Sequence, residues 1–254
     1  MSPLMLAAII AVILFGACIL GICAAPLMSE AHLSVKTLER IKDARALVVG
    51  LTGLTLGLLV AGANTSFEEK TKEIKTQAAN VILTDRYLRD FGPSADLARE
   101  QLRITVKKII AQVDDAQVNG AEPKKIFTNI HTGKIRAAIL KLTPQGDGEV
   151  WLKASALSAL HEFSASRWRI YQEMNSSIKW PLVYVVVFWL VAIFFSLGVD
   201  TPRNAFAITG MLVSAVAMAG AIFLMLEMDM PFQGYITLST APLESAAQLI
   251  GGSN

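Results

Sequence analysis

The chain has 254 residues, 53% hydrophobic and only 17% charged, with a net charge of +2 and a mean hydropathy of +0.48. Soluble chains carry about 25% charged residues, so the apolar excess has to be gathered into membrane spans. The weak net charge excludes a concentrated basic face for nucleic acid. The two cysteines, both in the first apolar stretch, exclude a disulfide framework or a thiolate metal centre.

Residues 4–28 form the first predicted span, without a charge. At about 25 residues it is roughly 37 Å of helix, against a hydrocarbon core of about 30 Å. No basic region precedes it, and it exceeds the apolar core of a signal peptide, so it is read as a retained span. Cys18 and Cys23 are then small packing residues in lipid. A polar connection, Met28–Arg45, carries His32 and offers Ser34 as an N-cap.

The second span covers 44–63. Its helix is predicted to continue to Asp90, because Phe67, Ile74, Ala78, Val81 and Leu88 keep near-heptad spacing. Unbroken from Ser34 to Asp90, it would be about 85 Å long. Ala46, Gly50, Gly53, Gly57, Ala61 and Asn64 recur every three or four residues, which sets small side chains in one stripe.

Phe91–Gly92–Pro93 is a break, with Ser94 the expected cap of a helix over 95–115. A loop at Gln117–Pro123, a helix over 124–142 and the turn cluster Thr143–Gly148 follow. From Glu149 a helix carrying Trp151, Leu160, Phe163 and Ile170 runs to the third span, 180–198, where Trp180 and Tyr184 suit the membrane interface. The fourth span, 205–226, carries its own small stripe of Gly210, Ser214, Ala217 and Ala221, read as a close-packing face.

The expected fold is all-α: a four-transmembrane-helix integral membrane protein, multi-pass in a cell membrane, with an extramembrane helical bundle between spans 2 and 3. Its expected divisions are 1–63, 64–178, 179–229 and a tail, 230–254, lying along the interface or on the bundle. Basic residues flank the spans on both sides, so orientation stays open.

No enzyme is expected. His32, His131 and His161 stand in separate segments, and His131–Lys134 (HTGK) lacks the Gly-rich loop of a phosphate binder. No cofactor or metal site is expected either, although Asp85, Asp90 and Asp96 surround a helix break where a cation could be held. The small stripe has two readings. It is a packing face for another helix, or it lines a pore formed by several copies. In the second reading Gly50, Gly53, Gly57, Ala61 and Asn64 line a lumen, with Thr52, Thr55 and Ser66 on a neighbouring face. Glu68 and Glu69 stand just outside the mouth, and Glu227 and Asp229 form a second acidic ring or ordinary interfacial charge. Rings of carboxylates favour cations.

Leu56–Lys70 (LGLLVAGANTSFEEK), Ala79–Asp90 with Phe91–Gly92–Pro93, and Phe223–Ala246 (FLMLEMDMPFQGYITLSTAPLESA) resemble the bestrophin-like bacterial membrane proteins. That resemblance covers nearly the whole chain. It implies a likeness to bestrophins, pentameric anion channels whose second span lines the pore. It therefore implies a homo-oligomer, with a pentamer as the guide, and passive ion conduction along the second helix. Bestrophins narrow at large apolar side chains, whereas this stripe is Gly, Gly, Gly, Ala, Asn, so anion selectivity is not carried over. The expected partners are the lipid bilayer, further copies of the chain and inorganic ions, with no nucleic acid. The alternative is a non-conducting membrane adaptor or sensor whose bundle binds a partner.

Overall fold

A computed structural model describes residues 2–27, 35–119, 132–175, 180–229 and 234–252. Ser34, His32, His131, Pro231 and the first half of the helix expected at 124–142 lie outside the described residues. Those described are helical or in short connections, with no strand among them. The helices are α1 (Pro3–Ala24), α2 (Val35–Phe91), α3 (Asp96–Asn119), α4 (Gly133–Leu140), α5 (Asp147–Asn175), α6 (Trp180–Asp200), α7 (Ala205–Asp229) and α8 (Ala241–Gly251). Segments within α1, α2, α6 and α7 are long and apolar enough to cross a membrane, with mean hydropathy between 2.1 and 2.9. The chain is thus an all-α membrane protein.

The residues fall into two compact units, Met1–Thr65 with Ile178–Asp229, and Ser66–Ser177 with Met230–Asn254. α2 contributes to both.

In the first unit α1 packs on α6 and α7. Ser2 caps α1, its hydroxyl accepting from the Met5 N–H at 3.3 Å, and Pro3 occupies the first turn, where no amide donor is needed. Leu14, Cys18, Leu190, Phe194, Ala215 and Ile222 form the buried core. α1 and α6 meet through a pair of glycines near their C-terminal ends. A Cβ on Gly21 would collide with the Phe195 carbonyl oxygen, and one on Gly198 with the Cys18 carbonyl. Polar ties join the ends of the apolar stretches. Arg45 Nη1 reaches Asp200 Oδ2 at 2.9 Å, and Arg203 Nη2 donates to the Ile22 carbonyl at 3.3 Å. Asn204 Oδ1 caps α7 by accepting from the Ala207 N–H at 2.7 Å.

Of the small stripe expected to pack α7, Ala221 alone packs on the core of its unit among the described residues. Gly210, Ser214 and Ala217 are exposed, and the buried small residues are Ala215 and Ala219. Helices in lipid bury their small residues wherever a neighbour approaches, and here α1 approaches α7 from the Ala215 side.

In the second unit the distal part of α2 runs antiparallel to α5. Tyr87 meets Trp151 edge-on with ring centroids 5.6 Å apart. Four turns earlier on α2, Ser166 Oγ donates to the Glu73 carbonyl at 3.1 Å. Ile74, Val81, Leu88, Leu102, Ile139 and Phe163 are among the core residues. The tail belongs to this core: Leu238, Leu243, Ala246 and Ile250 are buried in it, and Arg103 Nε donates to the Ile250 carbonyl at 2.7 Å.

The break after α2 follows from Gly92, whose φ of 105° is a conformation that side chains rarely adopt. Ser94 does not cap α3. It lies inside the short 3-10 turn Pro93–Ala95, which has no side-chain cap. After α4, Lys153 Nζ donates to the Leu140 and Leu142 carbonyls at 2.9 and 2.8 Å, closing the helix C-terminus with a cation.

Candidate functional site

At 100° per residue the membrane stretch of α2 has three sides. Thr52, Leu56, Leu59, Val60 and Ala63 make up the side that packs into its own unit. Leu47, Leu51, Leu54 and Leu58, each more than half exposed, form a second side suited to lipid. Gly50, Gly53, Gly57 and Ala61 occupy the third, and all four are exposed. Only 11% of the apolar window of α2 is buried within the chain, against 39% for α1.

The three glycines of this third side have open space around them, since an added Cβ would meet nothing within 4 Å. Each lowers helix propensity by about 1 kcal/mol relative to alanine, and no contact among the described residues requires any of them. Gly21 and Gly198 are the opposite case, where backbone contact demands glycine.

The other site residues divide. Asn64 continues the third side at half-burial, and Glu68, four residues on, extends it as an exposed carboxylate. Glu69 is exposed but lies on the leucine side. Thr52 is turned inward, 3% exposed, with Oγ1 donating to the Val48 carbonyl at 2.7 Å, so it offers no hydroxyl to a lumen. Thr55 and Ser66 are half-buried beside it. Glu227 is 1% exposed, inside its unit, and Asp229 is half-buried. The first of these cannot join an open acidic ring in this conformation, because a buried side chain has no face to present.

Elsewhere, Asp85 and Asp96 do not form an open cation site. The Arg99 guanidinium lies between them, Nε 3.0 Å from Asp85 and Nη1 3.7 Å from Asp96. Asp90 is exposed, as is His161 on α5. Among the described residues no three His, Cys, Asp or Glu side chains cluster as metal ligands. A surface groove of about 870 Å³ runs between α2 and α8, lined by Asp85, Arg86, Arg89, Asp90 and Gln248. Sequence reasoning missed this groove because it requires the tail helix in place.

A family model described as a Bestrophin-like domain matches residues 34–243. No curated protein and no solved structure matches the chain.

Proposed function

The chain belongs to the bestrophin-like family, and we propose that it is a homo-oligomeric channel whose second helices surround a shared axis and conduct inorganic ions passively. The topology proposed has four spans, α1, α2, α6 and α7, with the termini and the helical bundle on one side. The ties from Arg45 to Asp200 and from Arg203 to Ile22 support it. Each joins span ends that such a path brings to the same face.

One observation carries the proposal: a side of α2 made of Gly50, Gly53, Gly57 and Ala61 that the chain leaves open. Lipid has no use for glycine, and the leucine side already serves lipid. Copies of α2 approaching one another on the glycine side keep a narrow lumen free of bulky side chains. Asn64 and then Glu68 stand at its mouth, so repeated copies would set a ring of carboxylates favouring cations. Bestrophins guide the copy number to five.

The second reading, a non-conducting adaptor, draws on the charged groove beside α8, which could receive a partner. The two separate by cysteine accessibility in a background with Cys18 and Cys23 replaced. If Gly57→Cys and Asn64→Cys react with an aqueous thiol reagent in the assembled protein while Leu54→Cys does not, the pore reading stands. If Gly57→Cys and Asn64→Cys are sealed, it fails.

A further inference from the structure

Among its described residues the second unit buries two cationic side chains with N–H groups that have no hydrogen-bond partner. Lys70 on α2 is fully buried, and its Nζ has no hydrogen-bond partner among the described residues. Arg167 on α5 is 6% exposed, and its Nε and Nη1 are also without partners. Two contacts fix the register between these helices: Tyr87 opposite Trp151, and Glu73 opposite Ser166. Continued along the antiparallel pair, that register sets Arg167 level with residues 71–72 of α2, within one turn of Lys70. On the same side of α2, Gln77 Nε2 is a further buried donor without a partner.

Among the described residues no carboxylate pairs with Lys70 Nζ or with Arg167 Nε and Nη1. Glu73 Oε1 is taken by Arg169 Nε at 3.0 Å, and Arg169 also approaches Glu162 at 3.9 Å. Glu73 Oε2 is itself buried without a partner. Among the described residues, then, Arg169 takes the carboxylates while Lys70 Nζ and the Nε and Nη1 of Arg167 stay without partners. Burial pushes the Arg167 guanidinium down from its usual range.

Unpaired buried charge is among the least favourable things a folded chain can hold. Enclosed water would meet the N–H groups but leave the charge. We propose that Lys70 and Arg167 hold a small phosphate-class oxyanion between α2 and α5, with Gln77 as a further donor. Such an ion has several oxygens to accept the N–H groups of Lys70 Nζ and of Arg167 Nε and Nη1 as charge-assisted bonds. The site is separate from the open side of α2 and does not depend on conduction.

The test is equilibrium dialysis of the purified full-length protein against labelled inorganic phosphate at constant ionic strength, paired with thermal unfolding. Saturable binding of about one phosphate per chain is expected, with Tm raised by about 3 °C or more at tenfold excess over Kd. Lys70→Met and Arg167→Met should weaken binding at least tenfold, while Lys70→Arg keeps it within a few-fold. The methionine variants should fold, since removing a buried charge removes its desolvation penalty. A second arm replaces free phosphate with phosphatidylglycerol in detergent. Stabilisation by that lipid alone, lost in Lys70→Met, would place the phosphate on a lipid headgroup. No saturable binding or stabilisation from either source, or equal responses in wild type and methionine variants, would overturn the proposal.

Discussion

Glycine serves two opposite ends in this chain, and substitutions tell them apart. Gly21 and Gly198 sit where the α1 and α6 backbones touch, so a single methyl group must push one helix away. Gly198→Ala is expected to destabilise the protein by about 2 kcal/mol or more, in the range of overpacking, read as a fall in Tm. Gly53→Ala should do the reverse to the isolated chain, gaining about 1 kcal/mol of helix propensity with no clash. If Gly53→Ala nevertheless weakens assembly or conduction, the glycine is there for another copy. The stripe at 50, 53, 57 and 61 was legible in the sequence because it repeats along one helix. The Gly21–Gly198 contact was not, since two glycines far apart in sequence leave no periodic trace. Thr52 was a misleading neighbour of the stripe: its hydroxyl satisfies the Val48 carbonyl and its side chain faces inward. The Arg45–Asp200 pair, largely shielded from solvent, should show a coupling energy of about 1 kcal/mol in a double-mutant cycle read by thermal unfolding.

At the scale of elements, the long second helix was readable almost to its ends, because heptad-like spacing runs through Phe67–Leu88 until Gly92 and Pro93 stop it. The tail was the hardest element. Ala241–Gly251 is short and has no Lys or Arg, so nothing local distinguishes a helix on the membrane surface from one on the bundle. Its placement comes from contacts distant in sequence: Leu243, Ala246 and Ile250 in the bundle core, and Arg103 on the Ile250 carbonyl. Leu243→Ala should therefore destabilise the second unit by about 2–4 kcal/mol, the usual range for emptying a buried leucine site. Protease protection of residues 234–252 would report the loss. An unchanged digestion pattern would mean that the tail contributes nothing to that unit. The exposed stripe of α7 teaches a related lesson. Small-residue spacing says that close approach is feasible on a face, while the position of α1 decides that Ala215 and Ala219 are the residues used.

For the whole molecule, membership of the bestrophin-like family and the four helices long and apolar enough to span among the described residues point to a membrane protein. The proposed channel adds an assembly in which the open side of α2 faces an axis. Among the described residues nothing packs on Gly50, Gly53 or Gly57 where a Cβ would stand, and in the proposed assembly further copies would. The most direct test is planar-bilayer recording of the purified oligomer under a salt gradient, with Asn64→Leu and Glu68→Gln beside the wild type. The account predicts wild-type single-channel currents with a cation-shifted reversal potential. It predicts that Asn64→Leu lowers unitary conductance severalfold and that Glu68→Gln moves the reversal potential towards zero. Absence of wild-type current across several ions and pH values would contradict it.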